Sequence, residues 1–179
     1  MFTPSPSSRV SPPENVNFLE RTFAEQREPL TRYATRLLGD SERARDVVQD
    51  TFARFMAQSR EAINGHAVEW LFTVCRNRAL DVLRKEARIH RFEEGQIERI
   101  RDRDPLPGRA LEQAETNACI LRLIERLPAN QQEVVRLKFQ HGFSYKEISR
   151  ITTLSISNVG FLIHTAVARL RAEFAAQQP

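Results

Sequence analysis

Ser144-Tyr145-Lys146-Glu147-Ile148-Ser149-Arg150-Ile151-Thr152-Thr153-Leu154-Ser155-Ile156-Ser157-Asn158-Val159-Gly160-Phe161-Leu162-Ile163-His164 is the stretch whose reading decides the fold. Ser144 and Glu147 stand three residues apart at the head of an apolar pattern. That is a capping box, in which a serine oxygen and a glutamate carboxylate each satisfy an orphan backbone donor at a helix start. The helix it opens turns Ile148 and Ile151 inward, and Thr152-Thr153-Leu154 breaks it. A longer helix follows, with Ile156, Val159, Ile163, Val167, Leu170 and Phe174 as its expected apolar stripe. A short helix, a tight turn and a longer helix with a buried stripe make a helix-turn-helix.

Working outward, Leu111 to Leu127 reads as an amphipathic helix stopped by Pro128, which suits the start of a further helix ending near Phe139. His141-Gly142 is the next turn. Upstream of Leu111 the apolar period fades, and the stretch back to Ile89 mixes five basic with five acidic residues around Pro105 and Pro107, which is linker composition. Before it, from Phe18 to about Arg88, the pattern is helical again: Phe23, Leu30, Tyr33 and Leu37, then Val47, Val48, Phe52 and Phe55. Gly39 closes one helix, Asp40-Ser41 caps the next, and a third begins near His66. The first residues, with four of the nine prolines before Phe18, read as a disordered tail. Strand signals are nearly absent. The expected architecture is all-α: a tail over 1–17, a helical domain over 18–90, a flexible linker over 91–111 and a helix-turn-helix domain over 112–175.

Composition bounds the function. The chain is 41% hydrophobic and 28% charged, too apolar to be wholly disordered and without an apolar run approaching a membrane span, so a soluble, cytoplasmic protein is expected. Cys75 and Cys119 lie apart on predicted helices with no zinc-ligand spacing, and read as free thiols that are buried or half-buried. No cofactor or metal is expected. The net charge of +4 is modest, but six basic residues against Asp81 and Glu86 between Trp70 and Arg91 concentrate charge on one helix. A basic helix is an electrostatic footprint for phosphates, and also the composition of an ordinary solvated face.

At about 100° per residue that helix places Trp70, Thr73, Asn77, Asp81, Arg84 and Arg88 on one face and Leu71, Val74, Cys75, Ala79 and Val82 on the other. An amide that can bond a base edge, beside guanidinium groups that stack or hold phosphate, suits single-stranded nucleic acid, while Trp70 also fits as a core anchor. In the final helix the outward positions near the start are Ser155, Ser157, Asn158, Phe161, Leu162 and Thr165, with Arg169 and Arg171 only near its end. A reading helix normally carries basic residues beside the phosphates, so by composition this one is a weak DNA reader.

The segment Ser41-Glu42-Arg43-Ala44-Arg45-Asp46-Val47-Val48-Gln49-Asp50-Thr51-Phe52-Ala53-Arg54-Phe55 resembles sigma region 2.2, and Trp70 to Lys85 resembles regions 2.3 and 2.4. Leu127-Pro128-Ala129-Asn130-Gln131-Gln132-Glu133-Val134-Val135-Arg136-Leu137, followed by Gly142 to Ile148, resembles sigma region 4. Together, over about Phe18 to Phe174, the chain is similar to the extracytoplasmic-function (ECF) sigma factors of the sigma-70 superfamily, which keep only domains 2 and 4. The resemblance implies an initiation factor that binds core RNA polymerase and directs it to promoter DNA. It implies that Asp46, Gln49, Asp50 and Phe52 meet the coiled coil of the polymerase's largest subunit, and that Asn77, Asp81, Arg84, Lys85 and Arg88 read and melt the minus-ten element. It further implies that region 4 reads the minus-thirty-five element and touches the flap of the second-largest subunit, and that an anti-sigma factor is a possible partner. Here the chain departs from the pattern: Gly160, Leu162 and Thr165 stand where relatives carry Lys or Arg, and Thr153 where they carry Gly. Ser155, Ser157, Asn158 and His164 are then the remaining minus-thirty-five candidates, against a reading of Phe161 and Leu162 as a protein-binding patch.

A helix-turn-helix regulator that never engages polymerase explains the second half but leaves the 41–55 block and the Trp70 helix without a role. A nucleic-acid enzyme is disfavoured, since the carboxylates are scattered and neither a glycine-rich phosphate loop nor an HExxH motif is present. The linker satisfies one geometric condition. Roughly 23 residues reach about 75 Å extended, more than the roughly 58 Å between elements about 17 base pairs apart at 3.4 Å per pair.

Overall fold

The computed structural model describes residues 12–59, 63, 65–90 and 111–176, the side chains of 12–16, 89–90 and 111–117 aside. Among the described residues there are seven helices and no strand, so the protein is all-α. The chain divides into two compact units, Met1–Arg99 and Ile100–Pro179. Most of the expected linker, and the expected tail before Pro12, lie outside the described residues.

The first unit is built from α1 (Pro12–Leu38), α2 (Ser41–Met56) and α3 (Ala67–His90), each packed on the other two. Helix α1 begins at Pro12, inside the stretch expected as tail, because a proline in a first turn lacks only a donor that would have no partner anyway. It also runs through Pro29, which removes one ladder bond. The helix persists there because Leu30, Tyr33 and Ala34 just beyond are buried in the core. Gly39 takes φ 71° to end the helix, and its N–H donates to the Thr35 carbonyl at 2.8 Å. The Asp40 carboxylate then accepts from the amides of Glu42 and Arg43, capping α2.

Aromatic rings lock these helices together. Phe23 meets Phe52 edge-on with centroids 4.7 Å apart, Tyr33 lies 5.1 Å from Phe72 and Phe55 lies 5.8 Å from Trp70. Such pairs contribute about 0.5–1.5 kcal/mol each beyond their buried area. Leu71, Cys75 and Ala79 line the α3 side of this core, with Ile63 filling it from the α2–α3 connection. Burial pushes the Cys75 thiol up to about 12, an effect that a hydrogen bond with Thr51 partly offsets. Neither cysteine is in a disulfide, and Cys75 is buried and Cys119 half-buried.

The second unit comprises α4 (Leu111–Glu125), α5 (Ala129–Phe139), α6 (Tyr145–Thr152) and α7 (Ile156–Ala175). Pro128 stands at the cap of α5 and Gly142, at φ 75°, makes the turn before α6. Helix α7 packs against the other three. Ile124, Leu127, Val135 and Ala166 cluster there with Leu170 against them, and Val134, Leu137, Ile148, Ile151 and Val159 are also buried. The capping box is formed in full, with the Ser144 hydroxyl accepting from the Glu147 amide and the Glu147 carboxylate accepting from the Ser144 amide.

The stripe on α7 is rotated from the one expected. Its buried arc centres on Val159, Ile163 and Ala166, which leaves Ile156 and Leu162 roughly 60° to either side. Leu162, in mid-helix, is covered to 7% exposure, whereas Ile156, in the first turn, is 51% exposed. The expected outward position of Leu162 is thereby corrected.

Candidate nucleic-acid interface

In the first unit the residues singled out on α2 separate by exposure. Asp46 and Gln49 face solvent. Asp50 is half-buried and its carboxylate accepts from Arg78 of α3 at 2.5 Å, with Arg54 a further 3.4 Å ion-pair partner. Phe52 is 5% exposed and packs on Phe23, so it supports α2 from beneath. Arg43 joins Glu86 of α3 and Asp40. Arg43 with Glu86 and Asp50 with Arg78 pair in reversed sequence order, so α2 and α3 run antiparallel. The groove between them is lined by Arg43, Asp46, Val47, Arg78, Val82 and Glu86. These cross-helix pairs were missed in sequence, although basic and acidic residues seven apart on α2 and eight apart on α3 carried the signal.

On α3 the expected inner face is buried at Leu71, Cys75 and Ala79 and half-buried at Val74 and Val82, with Phe72 buried beside them, while Asn77, Arg84, Lys85 and Arg88 are exposed. Asp81 is half-buried and pairs with Arg84 at 3.2 Å, an exposed pair of the kind that contributes about 0–1 kcal/mol and opens readily for a phosphate. Lys85 flanks this face about 80° from Asn77, and Arg88 extends it one helical turn past Arg84. Trp70 lies on the same side, yet its ring packs on Phe55 and is half-buried, which makes it an anchor for the start of α3.

In the second unit α6 and α7 meet at 105° across the turn, within the range for a helix-turn-helix. The Ser149 hydroxyl donates to the Leu154 carbonyl at 2.6 Å across that turn, and Thr153 takes a left-handed conformation at φ 61° and ψ 19°. Ser155 caps α7, its hydroxyl oxygen accepting from the Asn158 amide at 3.2 Å. Ser155, Ser157, Asn158 and His164 are all exposed. Phe161 is exposed beside them, and Gly160 lies beneath the Tyr145 ring, which would stand 3.6 Å from an added Cβ. Lys146 and Arg150, four residues apart on α6, are exposed cations that the sequence had not marked for DNA.

Two family models account for these two units. The Sigma-70 region 2 model matches residues 23–89, and the Sigma-70, region 4 model matches residues 117–170. A helical region 2 joined in one chain to a region 4 helix-turn-helix defines a sigma-70-type initiation factor. The chain is 33% identical over 150 residues to the ECF RNA polymerase sigma factor SigL of Mycobacterium tuberculosis, covering 79% of this chain and 80% of that one. It is 28% identical over 144 residues to EcfG of Rhodopseudomonas palustris, covering 80% and 77%. The fold is also that of the sigma factor RpoE from Bartonella quintana, solved in complex with the anti-sigma factor NepR, with a TM-score of 0.70 at 22% identity over 89% of this chain and 98% of that one. The chain belongs to the ECF RNA polymerase sigma factors. Its function is that of a sigma factor directing transcription initiation, and the regulator that ignores polymerase is not favoured.

Proposed function

We propose that the α2–α3 unit grips core RNA polymerase and holds opened promoter DNA while the helix-turn-helix settles on the upstream element. Asp46 and Gln49 reach the coiled coil of the largest subunit, and Asp50, tied to Arg78, fixes the spacing of α2 against α3. Asn77 reads a minus-ten base, Asp81 orients Arg84, and Arg84, Lys85 and Arg88 neutralise phosphates of the separated strand. Ser155, Ser157, Asn158 and His164 face the minus-thirty-five element, and the same unit touches the flap of the second-largest subunit. The chain catalyses no reaction of its own; it binds, positions and stabilises. It works in the cytoplasm, where its template and polymerase are, and among the described residues no single helix is long and apolar enough to cross a membrane. The relative solved with NepR supports an anti-sigma partner for this chain as well.

The observation that carries this reading is α3: one helix that buries Leu71, Phe72, Cys75 and Ala79 while presenting an amide and three cations along its length. Transcription in vitro from a genomic library, with core polymerase plus the full chain, tests it and reports the promoter in the same experiment. Discrete start sites that require the chain are expected; a transcript set identical to that of core enzyme alone would overturn the reading.

A further inference from the structure

Helix α7 carries no Lys or Arg before Arg169. At about 100° per residue its outward line is Ser157, Phe161, His164 and Ala168, with Asn158 and Thr165 on one flank. Phe161 is 65% exposed in the middle of that line. Along α7 its neighbours are polar or buried, and the Tyr145 ring of α6, 39% exposed, lies over Gly160 next to it. Leu162 is buried, Gly160 sits under Tyr145, and Ser157, Asn158 and His164 surround it with hydrogen-bonding groups. The exposed Ile156 lies roughly 140° around the helix from Phe161 and does not extend an apolar patch to it. A protein-docking surface needs a contiguous apolar area. A base edge needs far less, since in the major groove an apolar side chain recognises thymine by contact with its 5-methyl group.

Resting on the reading of this unit as the upstream reader, we propose that Phe161 is a specificity-determining residue that selects a thymine by packing on its methyl group. Cations on α6 divide the labour with it. Lys146 and Arg150 hold backbone phosphates from the helix that crosses the duplex, which sets register without sequence information, and α7 is left to read bases by shape and hydrogen bonds. Asn158, on the flank of Phe161, has the bidentate amide that matches adenine, so the preferred upstream element is rich in A·T pairs where α7 enters.

Deoxyuridine lacks only the methyl group, which makes the test direct. Holoenzyme formed from core polymerase and the full chain is bound to a promoter recovered from the library transcription, with each upstream thymine replaced in turn by deoxyuridine. At one position the wild type should lose about fourfold in promoter affinity, the worth of one buried methyl-sized group. Phe161→Ala should bind the unmodified promoter at least that much more weakly and show no response to deoxyuridine there, while Phe161→Leu keeps part of the response. A flat scan for the wild type, or an unaltered response in Phe161→Ala, overturns the proposal; so does a Phe161→Ala defect confined to core-polymerase binding, which would make the ring a protein contact. Initiation that is promoter-specific but insensitive to every methyl removes only this inference, whereas absence of promoter-specific initiation removes the initiation reading on which it rests.

Discussion

Thr153 is the single non-glycine residue with positive φ among the described residues, and it sits in the turn on which the helix-turn-helix depends. A β-branched side chain in the left-handed region crowds its own backbone at a cost of about 1–2 kcal/mol. The local bond from its hydroxyl to the Thr152 carbonyl returns little of that. Thr153→Gly should therefore raise the urea midpoint of the second unit by the equivalent of about 1 kcal/mol, after allowing for the greater freedom of glycine in the unfolded chain. A lowered midpoint would mean that the hydroxyl contributes more than the backbone strain costs. Sequence reading noted the departure from glycine at this place but had no means of knowing the backbone angle. Phe52 is the opposite lesson. Its place in the i, i+3, i+4 pattern with Val48 and Phe55 already marked it as core, and it is buried.

At the level of the element, α3 was the most legible helix, because a 24-residue amphipathic pattern overdetermines which side faces inward. What it could not reveal was which of its charges are already engaged. Arg78 is held by Asp50 and Glu86 by Arg43, so both serve packing against α2, while Lys85 and Arg88 stand in solvent and Arg84 shares its charge with Asp81. Pairings of this kind join residues 28 and 43 apart in sequence and depend on how two helices dock. The distinction makes a graded prediction. Lys85→Ala with Arg88→Ala should lower open-complex formation about tenfold and reduce the slope of log affinity against log salt by about 1.4, if each meets one single-strand phosphate. Reversing charge at Arg84 and Lys85 should likewise reduce opening, and in both variants affinity for core polymerase should stay unchanged in competition with another sigma factor. An unaltered salt slope would remove these side chains from the strand. By contrast, Asp46 with Gln49 replaced by alanine should weaken core binding and leave the salt slope of promoter opening as it was.

For the molecule as a whole, the hydrophobic pattern announced two cores because it fades between Ile89 and Leu111 and resumes with a fresh set of caps. The buried side chains of the first unit come from α1 to α3 with Ile63, and those of the second from α4 to α7 with Leu127 and Phe143 of their connections. Two thiols report on them separately. Cys75 is fully buried in the first unit, and with its thiol pushed up to about 12 only on the order of one molecule in ten thousand carries a thiolate at pH 8. It should resist alkylation until its core opens, whereas Cys119 on α4 is half-buried and should react earlier. Ile148→Ala removes a fully buried side chain from α6 and should cost the second unit about 2–5 kcal/mol. If the units are thermodynamically separate, that substitution lowers the urea concentration at which Cys119 becomes fully labelled and leaves the Cys75 midpoint where it is. A Cys75 midpoint that falls in step would show one cooperative molecule. In that case destabilising the upstream reader would also loosen the grip on polymerase, and the two promoter contacts could not be tuned independently.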